Sequence, residues 1–280
     1  MNDIFDIEWM GGVAEHHYRK ARPGVDDFPW DALDPARYAA SLVVASQKVW
    51  TGVALSEYAA IAAFSEVVAA LVMTKAPLDL IGMTSDFLAD EVRHVELVSR
   101  LVMQLGGAAP RRFDPTRLAP NVDPGLTPFQ RANELALRVG CIAEAFAGST
   151  AAPMMRASTH PLIRAVYQSI LRDEARHRRF GSLYFEWATD RLEQRERDRL
   201  GEVALSALRS YGPLWQTRAA ENPGDHTIEG WPKRDVHDLG WFEQARYRPL
   251  AQSVVRDDIV PSLARLGIDI PYEALTQLLV

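Results

Sequence analysis

Two five-residue strings hold the side chains best suited to chemistry, Asp90-Glu91-Val92-Arg93-His94 and Asp173-Glu174-Ala175-Arg176-His177. Each reads D-E-x-R-H. On a helix, a Glu and a His three residues apart are separated by about 300° around the axis. They therefore lie on one face, one turn apart, where both can bind the same metal ion. A single E-x-x-H is most often a solvated helix face, but two copies of a five-residue pattern in one chain are not. His94 also sits in an apolar string, with Phe87 and Leu88 before it and Val95, Leu97 and Val98 after. A buried His or Glu needs a partner to offset its desolvation, and a metal ion provides one.

The elements that must position these strings are helices. Ala36 to Thr74 contains no Pro, a single Gly and many Ala, Leu and Val, which predicts a long and largely buried helix over 36–74. Pro77 suits the first turn of a second helix over 77–105, which Gly106-Gly107 stops. Residues 106–126 hold four prolines and three glycines and read as a linker. At about 3.3 Å per residue, such a segment can run the length of a bundle. Pro128 opens a third helix (127–153) and Pro161 a fourth (161–191). Two tightly joined helices, a long crossover and two more tightly joined helices make a four-helix-bundle topology. Residues 1–35 read as an irregular segment, because Gly11-Gly12, Pro23-Gly24 and Pro29 interrupt it. Residues 192–280 read as a helical extension packed on the bundle, with a fifth helix over about 193–220, a Gly/Pro/Trp-rich stretch over 222–240 and a sixth helix over about 241–266. No segment alternates with period two, so the fold class is all-α.

In each helical hairpin, residues equally far from the turn lie at the same height, which predicts the remaining ligands. The first turn is near residue 75, and Glu91/His94 lie 16 to 19 residues beyond it; counting back reaches 56–59, where Glu57 is the only acid. The second turn is near His160, and Glu174/His177 lie 14 to 17 residues beyond it; counting back reaches 143–146, where Glu144 is the only acid. The separations agree, 34 residues from Glu57 to Glu91 and 30 from Glu144 to Glu174. Four Glu and two His thus converge at mid-bundle. Such mixed ligation suits iron or manganese, and the absence of thiolates disfavours structural zinc.

Over about residues 36–191 this set resembles the ferritin-like di-iron carboxylate superfamily, in which two helices each give one Glu and two give Glu-x-x-His. The resemblance implies two iron ions (or manganese, or a mixed pair) and O2 as co-substrate. It also implies that Asp90 and Asp173 accept hydrogen bonds from the partner helix's histidine, Asp90 from His177 and Asp173 from His94. Arg93 and Arg176 then form ion pairs at the bundle surface. Near Glu144, the residues Gly140, Cys141, Ala147 and Gly148 share a face on α-helical periodicity. Glycine inside a helix costs about 1 kcal/mol relative to alanine, so these small residues call for either a substrate pocket or close helix packing. Cys141 and Tyr184 are further candidates for lining such a pocket. His16, His17, His160, His226 and His237 carry no motif and read as surface or capping residues.

Departures from individual types narrow the reaction. The Cys-rich iron module of rubrerythrin-like peroxidases is absent. Iron-storage ferritins lack about 90 residues of the kind found here after the fourth helix, with Trp215, Trp231 and Trp241. The ribonucleotide reductase radical subunit has a Tyr where this chain has Val98. The 4-aminobenzoate N-oxygenase type has an extra His ligand where this chain has Ile170, which counts against N-oxygenation by that site design. The expected function is an O2-activating di-iron oxygenase or oxidase, mono-oxygenase or hydroxylase in kind. Its substrate is a small organic molecule, as in specialised metabolism, and its electrons come from an external ferredoxin or flavin reductase. The alternatives are an iron-handling ferroxidase without an organic substrate, or a purely structural metal site.

Composition sets the outer bounds. In 280 residues of net charge −6, with both signs interspersed, there is no basic stripe for nucleic acid. One cysteine forms no internal disulfide. The N-terminus lacks a basic region followed by an apolar run, and Glu57 and Glu66 interrupt the most apolar stretch. The expectation is a soluble cytoplasmic homodimer that does not enter a membrane.

Overall fold

A computed structural model describes residues 3–211, 227–242 and 246–279. The expected helices appear as α2 (Ala40–Met73) and α3 (Leu78–Gln104), then α4 (Pro128–Leu135), a π-helical stretch Ala136–Ala143 and α5 (Glu144–Ala157), then α6 (Pro161–Ala188). Thr127 caps α4 by accepting from the Gln130 backbone, and the Gln130 side chain accepts from the Thr127 backbone in return, while Pro128 takes the first helical position. Pro153 lies inside α5 and does not end it; the helix runs one turn further, to Ala157.

The first 35 residues are more ordered than their breakers suggest. Gly11 and Gly12 both take positive φ, 74° and 61°, and initiate a helix, α1 (Gly12–Ala21), rather than a loop. Before it, β1 (Asp3–Ile4) pairs antiparallel with β2 (Arg112–Phe113) in the crossover segment. This two-residue ladder pins the N-terminal segment against the α2–α3 pair.

After the bundle come α7 (Gln194–Ser210), the ladder β3 (Thr227–Ile228) with β4 (Trp231–Pro232), and α8 (Lys233–Asp238). α9 (Tyr247–Ser253) continues through a second π-helical stretch, Val254–Ile259, into α10 (Val260–Arg265), and α11 (Tyr272–Leu279) follows. Trp215, His226 and the end of the helix expected over 193–220 lie outside the described residues. Buried polar contacts tie the extension to the bundle. The Trp50 indole donates to the Leu239 carbonyl at 2.8 Å, the Tyr167 hydroxyl to the Gly240 carbonyl at 2.6 Å, and the Trp241 indole to Ser46 Oγ at 3.0 Å.

The apolar core falls into two clusters along the bundle. One holds Leu42, Trp50, Ala54, Leu97, Leu101, Val166 and Ile170. The other holds Phe64, Val67, Phe87, Leu135, Phe180 and Phe185. On α2 the gap between them falls at Glu57, on α3 at Glu91 and His94, and on α6 at Glu174 and His177. A polar layer therefore divides the core at mid-height. Two helical spans, Ala40–Met73 and Pro128–Ala157, are long and apolar enough to cross a membrane by length and composition. Each contributes a carboxylate to that layer.

Candidate metal centre

The polar layer brings together all six residues of the sequence-based set. Glu57 comes from α2, Glu91 and His94 from α3, Glu144 from the first residue of α5, and Glu174 and His177 from α6. The layer forms two overlapping groups, Glu57, Glu91, His94 and Glu174 in one and Glu91, Glu144, Glu174 and His177 in the other. In each group one potential ligand atom per residue lies within 4.8 Å of every other. Glu91 and Glu174 belong to both.

The distances explain the sharing. Glu91 Oε2 is 3.4 Å from His94 Nδ1, and its Oε1 is 3.1 Å from His177 Nδ1. Glu174 Oε1 lies 3.7 Å from His94 Nδ1 and 3.8 Å from His177 Nδ1. Each of these two carboxylates stands between the imidazoles, as a bridge between two ions would. Glu57 approaches only His94 (3.6 Å), and Glu144 approaches only His177 (3.5 Å).

The outer nitrogens are held by the two aspartates. His94 Nε2 is 3.4 Å from Asp173 Oδ2, and His177 Nε2 is 3.2 Å from Asp90 Oδ2. With Nε2–H donating outward, each Nδ1 lone pair faces the carboxylates. Arg176 does more than the surface pairing expected of it. It donates to Asp90 at 3.1 Å and to Asp173 at 2.9 Å, joining the two aspartates although it is 58% exposed. The repeat of Arg within the twin motifs was the only signal for this.

The donor set fits a pair of divalent cations. Glu91 Oε2, Glu144 Oε2, Glu174 Oε2, His94 Nδ1 and His177 Nδ1 are buried without a hydrogen-bond partner, although buried polar atoms are nearly always satisfied. Four carboxylates balance the four positive charges of two such ions. Without ions the layer is electrostatically crowded. Burial pushes Glu57 up to about 7 and raises Glu174 well above the carboxylate range, with Glu144 and Glu91 adding to the effect on Glu174. Burial opposes charge on the histidines too, but their carboxylate partners win: His177 rises to about 11 and His94 well above its usual range. Those two imidazoles in turn hold Glu91 down at about 2 against its burial.

An apolar wall closes one side of the layer. The Phe87 ring lies 4.2 Å from the His177 ring and the Phe64 ring 5.6 Å from it. Phe180 completes the wall by meeting Phe87 edge-on. Sequence reasoning passed over these rings because Phe at helix spacing reads as ordinary core.

The small residues around Glu144 do not form the pocket considered from the sequence. The π-helical stretch before Glu144 takes more residues per turn than an α-helix, so Gly140 and Cys141 fall out of α-helical phase with Glu144. They meet α6 instead. A Cβ on Gly140 would lie 2.5 Å from Phe180 Cδ1, and one on Gly181 would overlap Cys141 Sγ. A Cβ on Gly148 would come within 3.3 Å of Arg178. Ala147 is exposed. Tyr184 is fully buried and donates to Asn133 Oδ1 at 2.7 Å. Close packing is what the glycines serve. A crevice of about 90 Å³ beside Gly140 and Cys141 opens toward Arg178 and Asp258, away from the carboxylates. Burial pushes the Cys141 thiol up to about 12, so it stays protonated. His160, read as a surface or capping residue, takes the N-cap position of α6 but is buried.

Residues 80–218 match the family model described as P-aminobenzoate N-oxygenase AurF. The matched stretch takes in Glu91, His94, Glu144, Glu174 and His177 and begins after Glu57. No curated protein matches the chain. At the position of the extra histidine implied by resemblance to that type, Ile170 is 4% exposed and packs in the apolar core. The centre here is built from six residues.

Proposed function

The chain belongs to the ferritin-like di-iron carboxylate superfamily, and from that premise we propose that it is an O2-activating oxygenase acting on a small organic molecule. The observation that carries the reading is the pair of overlapping four-residue groups sharing Glu91 and Glu174. The match to an oxygenase family supports an organic substrate over iron handling alone. Glu57 and His94 would hold one ion and Glu144 and His177 the other, with Glu91 and Glu174 available to both. Two irons bound there would supply O2 reduction, with electrons from an external ferredoxin or flavin reductase.

The chain's own residues do the rest. Asp90 and Asp173 keep each histidine in the tautomer that presents Nδ1 inward, and Arg176 holds both aspartates in position by donating to each. Phe64, Phe87 and Phe180 exclude water on one side, which strengthens every electrostatic interaction inside. The homodimer is part of the proposal: α2 leaves Val44, Val72 and Met73 exposed, an apolar face suited to a second copy.

Anaerobic loading with Fe(II), desalting and metal analysis test the centre. The expected result is about two irons per chain, and near none in Glu91→Ala/Glu174→Ala. Well under one iron per chain, or no difference between the two proteins, defeats the reading. Loaded protein that is inert to O2 in the presence of a reductant would leave only a structural metal site.

A further inference from the structure

A cavity of about 550 Å³ lies between the N-terminal segment, α2 and α3. That is the size of a small-molecule site. Its walls are mostly apolar, built from Phe5 and Ile7, Tyr58 and Ile61 of α2, and Val92 and Val95 of α3. It lies beside the metal centre, although none of the six residues themselves lines it. Ala54 and Ile61 lie one turn either side of Glu57 on α2, Tyr58 adjoins it, and Val92 and Val95 each follow a ligand of α3. Glu57 is also the most open of the six residues, with 17% of its side chain exposed against 6% or less for the others.

The charges at the cavity are unequal. Glu96 is 4% exposed and fully engaged: it accepts from Tyr18 at 2.8 Å and pairs with Arg19 and with Arg100. Among the described residues Arg100 is the one cation in the lining, and it is already shared between Glu96 (3.1 Å) and Asp26 (2.6 Å). At the rim, Asp6 and Glu8 are exposed and have no ion-pair partner among the described residues. Among the described lining residues a negatively charged ligand finds no free cation, whereas a cationic head group finds two open carboxylates.

We propose that this cavity is the substrate site and that its occupant is a largely hydrocarbon molecule with a cationic, amine-type head at the Asp6/Glu8 rim. That the occupant is the substrate rests on the oxygenase reading; that the cavity takes such a ligand does not. The N-terminal segment, pinned by β1 to the crossover, forms the outer wall and holds the head-group carboxylates.

The test is calorimetric titration of the iron-loaded full chain with decylamine, decanol and decanoate, each kept below its micelle concentration. Decylamine is expected to bind saturably and at least about tenfold tighter than decanoate. Ser99→Trp and Ile61→Trp fill the cavity from α3 and α2 and should each weaken decylamine about tenfold or more, with iron per chain unchanged. Asp6→Asn/Glu8→Gln should erase the preference for amine over alcohol while decanol binding persists. The proposal is overturned if none of the three ligands saturates. It is also overturned if both filling variants, folded and iron-loaded, bind decylamine as the parent does, or if decanoate binds as tightly as decylamine. Failure to take up iron in the parent protein would strike at the oxygenase reading alone, since ligand binding is read independently.

Discussion

The two hairpins of the bundle supply equivalent candidate ligands from differently built surroundings. The α2–α3 hairpin is regular α-helix throughout, and its outer side carries the large cavity and the partly open Glu57. The hairpin of α4, α5 and α6 is interrupted by the π-helical stretch, and it is clamped at Gly140 and Gly181. The C-terminal extension contributes Leu200, Val255, Ile259 and Leu263 to the core cluster on that side. Glu144 is correspondingly buried. A pseudo-symmetric ligand set thus sits in an asymmetric shell, one side packed shut and the other left approachable. The difference between the two sides, not the ligands, is where selectivity for a substrate can arise.

The largest effect should come from breaking the shared ligands. Glu91→Ala or Glu174→Ala removes a residue of both groups and should abolish binding of both ions. Glu57→Ala or Glu144→Ala should leave about one ion per chain, because each belongs to one group only. Metal analysis after loading distinguishes these patterns, and equal losses in all four variants would refute the bridging assignment.

Removing the metals from the whole protein comes next. At a free-ion concentration about 1,000 times Kd, binding contributes about 4 kcal/mol, so chelation should lower Tm by roughly 10 °C in a chain of this size. An unchanged melting curve with and without metal would mean that the unpaired polar layer is not a binding site.

The outer aspartates should cost less. Asp90→Asn and Asp173→Asn each keep the shape but lose the charge facing Nε2, and metal affinity should fall about 10- to 100-fold. Competition against a calibrated chelator measures it. The loss should be larger for Asp173, whose side chain is 9% exposed against 19% for Asp90.

Glycine substitutions probe the packing contrast. Gly181→Ala forces a methyl into Cys141 and the α5-side backbone and should destabilise by about 1–3 kcal/mol. At Gly52 of α2, a Cβ would meet only the Arg111 side chain, at 3.4 Å. Gly52→Ala should therefore be neutral or stabilise by up to about 1 kcal/mol. Denaturant unfolding compares them, and similar values for both would remove the distinction between a clamped and an open hairpin. The smallest effect is Tyr184→Phe, about 1 kcal/mol of stability from the lost bond to Asn133, with metal content intact. A change in metal content would return Tyr184 to the neighbourhood of the centre.

The chemistry-bearing residues were legible because helical periodicity is local. A three-residue step from Glu to His settles a shared face wherever the helix goes, and hairpin symmetry extends this to Glu57 and Glu144. The helices themselves followed from Pro77, Pro128 and Pro161 at their starts and from unbroken apolar runs. The helix in the first 35 residues was not legible, since Gly11-Gly12 signals a break equally well before a loop or before a helix.

Spacing within a helix or across one tight turn is enough to place the bundle helices and the six candidate ligands along them, whereas the pairing of each histidine with an aspartate of the other hairpin was implied by the family resemblance and joins residues 79 and 87 positions apart. Tertiary structure alone decided where space remains. Of the two uses open to the small residues near Glu144, a pocket or close packing, the π-helical stretch gives the second by setting Gly140 and Cys141 against Gly181. The N-terminal strand, paired with residues more than a hundred positions away, enclosed a cavity on the opposite side. Void and contact depend on how distant surfaces meet, and no local spacing of residues encodes that.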